Sequence, residues 1–278
     1  MGAAYDLHTH SVHSDGTTRP AEIAREAADL GLAGFALTDH DTIDGWDEGR
    51  AAATEAGIEF LPGIEITTKS GGRSRHLLGY GIRPEAGELF EALAEVRDSR
   101  FIRAREMVRR LAPDFAITWE QVLGEENERT VGRPHIADAL VEAGYFEDRG
   151  AAFADVLHPR SPYYLGTHAI DTVEAIRLVR AAGGAPVLAH PAAHRQKSPQ
   201  SAADLRSFAA AGLWGIELSH PENREDWLPA LAAAAADLGL ESTGASDYHG
   251  AGKPNRLGER TTPADTFERL RGIVAVPR

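Results

Sequence analysis

There is no cysteine among the 278 residues, which removes disulfides, thiolate metal sites and a thiol nucleophile together. No run approaches the roughly 18 apolar residues that a membrane helix requires. The longest candidate, LPALAAAAADLGL at 228–240, is too short and reads as a helix of a globular protein. Basic residues are in deficit, with 29 Lys and Arg against 42 Asp and Glu and a formal charge of -13. That balance argues against a broad surface for duplex DNA, which needs an excess of cations to neutralise phosphates. A small phosphorylated ligand stays open, because bound divalent cations offset local negative charge. The opening MGAAYDLHTH lacks the basic flank and apolar run of a secretory signal, so a cytoplasmic location and no membrane partner are expected.

What is present is ordinary in bulk, with 42% hydrophobic and 26% charged residues, and ordered in detail. Seven short apolar runs read as strands, at 3–7, 34–37, 60–66, 76–82, 185–189, 215–218 and 242–245. Between most of them lie Ala-, Leu- and Glu-rich stretches with helix boundary signals, at 20–30, 46–56, 172–182, 201–211, 224–238 and 264–271. This alternation predicts parallel strands with helical crossovers, either as a barrel or as a doubly wound sheet. Polar clusters decide between the two. His8 and His10, Asp39–Asp41, Glu65, His190, His220, and Asp247 with His249 each fall at the end of an apolar run. A barrel gathers all its strand ends around one mouth, whereas an open sheet spreads them along a line. From about 85 to 165 the strand signals lapse into helical pattern, which predicts a mainly helical insertion (85–165) within a discontinuous barrel domain (1–84 and 166–278).

Twelve histidines accompany these carboxylates. His8 and His10, two apart on a strand, share a face, as do Asp247 and His249. Imidazole and carboxylate without thiolate suit Zn, Mn or Fe at a catalytic rather than a structural site.

The ordered motifs DLHTHSVHSDG, ALTDHDTIDG, LPGIEIT, AHP and SDYHG resemble those of the PHP (polymerase and histidinol phosphatase) family of metal-dependent phosphoesterases. The resemblance implies a distorted (β/α)7 barrel with two or three divalent metal ions (Mn, Zn or Fe) at its mouth. It implies nine ligands: His8, His10, Glu65 and Asp247 for one ion; the shared Glu65 with His76 and His190 for a second; Asp15, His40 and His249 for a third. A hydroxide held by Glu65 and its metal neighbours would then attack phosphorus in line. His220, His194 and His13 are candidates to donate a proton or touch phosphate, and Asp6, Asp39 and Asp41 read either as orienting imidazoles or as holding turns.

Within the insertion, TVGRPHIADAL resembles the equivalent stretch of PHP proteins that remove phosphate from 3',5'-bisphosphorylated nucleosides or trim RNA from its 5' end. Arg133 and His135, at the start of a helix, are the expected phosphate contacts. Arginines 97, 100, 103, 105, 109 and 110 read either as a solvated face or as further phosphate contacts, with Arg73 and Arg75 as weaker candidates. Phe101, Trp119, Tyr145, Phe146, Tyr163 and Tyr164 read either as core or as a base-stacking surface. The expected activity is hydrolysis of a phosphate ester on a nucleotide or short 5'-phosphorylated oligoribonucleotide. A histidinol-phosphate phosphatase, a non-catalytic metal-binding module and a nuclease for longer strands are the alternatives.

Overall fold

In a computed structural model of the chain, residues 2–124 and 130–274 are described, and residues 125–129 of the insertion and 275–278 lie outside them. The first half of the barrel runs β1 (Ala4–Thr9), α1 (Pro20–Asp29), β2 (Gly34–Leu37), α2 (Trp46–Ala56), β3 (Glu59–Ser70) and β4 (Arg73–Tyr80). Residues 85–165, the segment expected to be an insertion, supply α3 (Gly87–Leu111), α4 (Trp119–Leu123), α5 (Arg133–Glu142) and α6 (Arg149–Ala154). The chain then continues through β5 (Ile170–Asp171), α7 (Thr172–Ala181), β6 (Ala185–Leu188), α8 (Ala202–Ala211) and β7 (Gly215–Ser219). It ends in α9 (Leu228–Asp237), β8 (Glu241–Gly244), β9 (Thr262–Pro263) and α10 (Ala264–Arg271).

Local chemistry accounts for these limits. Pro20 opens α1 with its φ preset for a helix, and the Glu22 carboxylate returns to accept from the Arg19 N–H. Asp171 caps α7 through the N–H groups of Val173 and Glu174, and Ser201 caps α8 through that of Asp204. The strands GFAL and APVL are buried at every residue, as strands covered on both faces must be.

The sheet order is β8-β7-β6-β4-β3-β2-β1-β9, with β5 against β3. The strand–helix alternation predicted parallel neighbours throughout, and two strands depart from it, the short β9, antiparallel to β1, and β4. The Gly71–Gly72 turn reverses the chain, so β4 is antiparallel to both β3 and β6. The sheet curls until β1 meets the segment after β8. There Thr9 and Tyr248 form a parallel bridge, and the His10 N–H donates to the Tyr248 carbonyl at 2.8 Å. The Thr262 hydroxyl of β9 clasps Gly244 through its carbonyl and N–H at 2.7 and 3.0 Å. The result is a nearly closed α/β barrel, as the seven expected runs required.

Helix α3 joins two cores. Leu89, Leu93 and Val96 pack into the barrel core, whereas Ala104, Met107, Val108 and Leu111 pack with Ile136, Leu140 and Leu157 of the insertion. One continuous helix thus passes from the barrel core into a second hydrophobic core. Among the described residues no helix is long and apolar enough to cross a membrane.

Asp6 secures the closure. Its buried carboxylate accepts from the N–H groups of Ser246 at 3.0 Å and Gly258 at 2.8 Å, both far along the chain. Burial pushes its pKa up to about 6, against the opposing effect of these hydrogen bonds. Replacing Asp6 by Ala strands two buried donors and is expected to lower unfolding stability by about 3 kcal/mol. Denaturant titration checks this, and a loss below about 1 kcal/mol would show that the closure does not depend on the carboxylate.

Candidate metal centre

Glu65 lies in the middle of β3, yet it stands at the barrel rim because β2 stops beside Pro62, leaving the rest of β3 projecting. Its carboxylate is 1% exposed and meets five imidazoles. Oε1 faces His76 Nδ1 at 2.7 Å and His190 Nε2 at 3.0 Å. Oε2 faces His10 Nε2 at 3.1 Å, His40 Nδ1 at 3.2 Å and His8 Nε2 at 3.4 Å. Asp247 Oδ1 completes the group, 3.4 Å from both His8 Nε2 and His10 Nε2.

His76 comes from the antiparallel strand, where it lies opposite Thr67 on the projecting half of β3. Asp15 arrives on the loop after β1, which folds back tightly. A Cβ on Gly16 would fall 2.3 Å from the His10 carbonyl oxygen, so only glycine fits there. Asp15 Oδ1 is 3.2 Å from His249 Nε2 and 3.6 Å from His10 Nδ1, and its Oδ2 is 3.8 Å from His40. All nine expected ligand positions therefore converge. Their tightest grouping around Asp15 includes His10, with His40 turned chiefly toward Glu65, where the resemblance implied Asp15 with His40 and His249.

The donor set fits divalent cations. His8 Nε2 and His10 Nε2 stand 3.1 Å apart, an unfavourable approach of two lone pairs unless a proton or cation lies between them. The Nδ1 atoms of His40 and His76 are buried without a hydrogen-bond partner although each is within reach of Glu65. Despite burial, the surrounding imidazoles hold Glu65 and Asp15 well below the usual carboxylate range, and Lys253 and His8 do so for Asp247. Burial, with Arg195 beside it, pushes His190 down to about 3, and burial also lowers His40 and His249. Ionised carboxylates and neutral imidazoles are the forms that ligate. Three non-glycine residues have left-handed backbone among the described residues: Asp41, His190 and Asp247, with φ of 56°, 27° and 55°. All three are at this mouth, where a rigid surrounding can hold such strain.

The expected imidazole-orienting aspartates do something else. Asp6 binds backbone across the closure. Asp39 accepts from Ser11 N–H and from the hydroxyls of Ser11 and Ser14, fixing the loop that carries Asp15. Asp41 accepts from Thr67 N–H and hydroxyl and pairs with Arg100 at 3.0 Å. None touches an imidazole by hydrogen bond. That role falls to Glu217 in β7, fully buried, whose carboxylate takes the His8 Nδ1 proton at 3.1 Å and the His190 N–H at 2.8 Å. The signal was available, because a carboxylate inside the buried strand GIELS has to be partnered. Lys253 and Arg195 were also missed: Lys253 bonds Asp247 Oδ2 at 2.6 Å, and Arg195 meets the His190 ring at 3.0 Å while pairing with Glu222.

The remaining expected residues divide between the edge of the centre and positions away from it. His220 is at the edge: it receives the Glu222 N–H on Nδ1 and turns Nε2 toward Asp247, 3.5 Å away. His194 is exposed on the loop after β6, outside the cluster. His13 packs toward Gly45 and α2 rather than among the ligands. His135, expected at a phosphate, is engaged by backbone on both sides. Its Nδ1 accepts from Gly132 N–H at 3.0 Å and its Nε2 therefore donates to the Ser14 carbonyl at 2.8 Å, so both nitrogens are spent holding α5 against the β1 loop rather than offered to a phosphate. Arg75 and Arg73 bond Gln200, Gln196 and Ser198, tying β4 to the 196–200 loop. Phe146, Tyr163 and Tyr164 pack against the insertion core, and Tyr145 and Trp119 meet Phe115 and Phe101 edge-on.

The PHP domain model matches residues 6–123. The 3',5'-nucleoside bisphosphate phosphatase of Chromobacterium violaceum is 33% identical over 91% of this chain and 90% of its own length. The 5'-3' exoribonuclease of Haemophilus influenzae is 31% identical over 90% of this chain and 91% of its own. A solved structure from Bifidobacterium adolescentis, described under the heading of metal-dependent phosphoesterases, superposes with a TM-score of 0.95 at 41% identity, covering 98% of this chain and 96% of that one.

Two outcomes follow for metal uptake. Replacing Glu217 by Ala frees the His8 ring and is expected to weaken binding of Mn or Zn by about 10- to 100-fold, read by competition with a chelator; unchanged affinity would remove Glu217 from this role. Hydrogen bonds to Asp247 and Glu65 raise His10 to about 9 in spite of its burial, so at neutral pH, below that value, the metal-free ring carries a proton. Cation uptake should expel it, and calorimetry in buffers of different ionisation enthalpy should detect at least one proton released, with the number falling as the pH rises past about 9.

Proposed function

The chain belongs to the PHP family of metal-dependent phosphoesterases, and from that premise we propose that this hydrolase acts on a nucleoside 3',5'-bisphosphate or a short 5'-phosphorylated oligoribonucleotide. The observation that carries the reading is the division of one carboxylate between two sets of imidazoles, Glu65 Oε1 with His76 and His190, and Oε2 with His8, His10 and His40. That arrangement suits neighbouring cations sharing Glu65, with Asp247, Asp15 and His249 as the remaining ligands. When bound, such cations supply Lewis acidity toward phosphoryl oxygens and acidify water near neutral pH.

The protein's own residues supply position and charge. Glu217 holds the His8 ring so that Nε2 faces the centre. Lys253 neutralises the outer oxygen of Asp247 and, with Arg195 across Glu222, keeps positive charge at the mouth where a phosphate would enter. His220, with Nδ1 occupied by backbone, presents an Nε2–H at the edge of the centre and is the residue placed to protonate a leaving oxygen. His194 is exposed on the loop after β6 and makes no contact with the ligand residues among the described residues. The insertion, residues 85–165, forms the wall that would meet the nucleotide, because α5 packs through His135 directly onto the loop carrying Asp15. Likeness along nearly the full length to relatives named for nucleotide and RNA substrates supports this choice over histidinol phosphate.

Metal-reconstituted protein assayed side by side on nucleoside 3',5'-bisphosphate, short 5'-phosphorylated RNA and histidinol phosphate tests the reading. Phosphate or nucleotide release from the first two, abolished by Glu65→Gln, is the expected result. Turnover of histidinol phosphate alone would replace the reading with its rival. Absence of all three activities in metal-loaded protein would favour a structural role for the metals.

A further inference from the structure

Of the three carboxylates among the expected ligands, Asp247 differs in having one oxygen taken by a cation of the protein itself. Glu65 turns both oxygens to imidazoles, Oε1 to His76 and His190, and Oε2 to His8, His10 and His40. Asp15 does the same, with Oδ1 toward His249 and His10 and Oδ2 toward His40; no Lys or Arg pairs with either carboxylate among the described residues. Asp247 is divided. Its Oδ1 lies 3.4 Å from the Nε2 atoms of both His8 and His10. Its Oδ2 accepts from the Lys253 ammonium at 2.6 Å, with His220 Nε2 further off at 3.5 Å.

The chain holds Lys253 over that oxygen from both sides. Before it, the Gly252 N–H donates to the His249 carbonyl at 3.1 Å; after it, the Asn255 side-chain amide donates to the Ser246 carbonyl at 2.8 Å. The stretch 249–255 is thereby closed back onto the segment that carries Asp247. Glu222 steers the ammonium from a third direction, with Oε1 3.3 Å from Lys253 Nζ and Oε2 paired with Arg195. Asp247 has little freedom of its own. It is buried, its backbone is left-handed, and its neighbours are pinned, Ser246 to Asp6 and Tyr248 to His8 and His10. Turning its second oxygen toward the imidazoles would break the bond to Lys253, which is charge-assisted and therefore among the stronger hydrogen bonds.

We infer that Lys253 is a positioning residue that sets the metal preference of the centre: by keeping Oδ2 for itself, it leaves Asp247 one oxygen to give to a cation. The inference rests on the reading of this mouth as a cation centre. The ligand atoms of His8, His10, Glu65 and Asp247 lie within 4.8 Å of one another, so this group offers two imidazoles and few oxygens. Zn is satisfied by few donors and accepts nitrogen readily, whereas Mn favours oxygen and takes more donors. A second oxygen from Asp247 would serve Mn better than Zn, and Lys253 withholds it. Charge alone would act otherwise, because an ammonium opposes every divalent cation alike.

Dissociation constants for Mn and for Zn, measured on the full chain by competition with a chelator, test this in wild type, Lys253→Met and Lys253→Arg. In Lys253→Met both ions should bind more tightly, Mn by the larger factor, so that the preference for Zn over Mn falls about tenfold. Lys253→Arg keeps a cationic donor on Oδ2 and should restore most of that preference. Equal tightening for both ions would reduce Lys253 to a local charge, and equal weakening would make it a fastener of the 249–255 stretch; either result overturns the inference. Visible absorption of the Co-loaded protein gives a second readout, being intense where donors are few and weak where they are many. It should lose intensity in Lys253→Met and keep it in Lys253→Arg, and a spectrum unchanged in both also counts against the inference. No substrate is used. Failure to cleave nucleotides would therefore overturn the proposed function alone, and an unchanged metal preference would overturn this inference alone.

Discussion

A single buried carboxylate surrounded by five imidazoles is the constraint on which the rest depends. Glu65 could not remain ionised in so dry a place without positive charge nearby, and its neighbours could not crowd so closely without a negative charge between them. Each is tolerable only because the others are present. The barrel is the means of assembly, since it draws strand ends from residues 8 to 249 into a ring a few ångströms across. The left-handed backbone at Asp41, His190 and Asp247 shows how tightly the chain turns there to bring its side chains inward.

Around this ring the carboxylates divide the labour by what they can reach. Asp6, Asp39 and Asp41 hold backbone and loops, Glu217 holds an imidazole, and Glu222 holds two cations, Arg195 and Lys253. The motifs leave Asp6, Asp39 and Asp41 open between orienting imidazoles and holding turns. Proximity in sequence does not separate these uses, since Asp6, two residues before His8 and on the same face of β1, still turns to backbone. His8 is instead served from β7, more than two hundred positions away.

The insertion shows the same limit in another form. Its arginines form one run in the sequence, but folding sorts them: Arg109 and Arg110 pair with Glu106 near the surface, Arg100 turns in toward Asp41, and Arg103 is buried with no ion-pair partner among the described residues. His135 looked equivalent to Arg133 as a phosphate contact, yet its two ring nitrogens close hydrogen bonds to backbone on either side. A histidine near a helix start can serve as a cap or as a ligand contact, and spacing alone does not separate these uses.

The sequence by itself determined the barrel class, its seven main strands and most helix limits, because these follow from periodicity and capping chemistry that are local properties of the chain, whereas the nine ligand positions were implied by the resemblance of its motifs to those of the PHP family. Tertiary structure alone decided the reversed direction of β4, the sharing of Glu65 between opposing sets of imidazoles, the service of His8 by Glu217 and the burial of Arg103. Each of these depends on which distant groups meet, and on whether a charge finds its opposite once water has been removed.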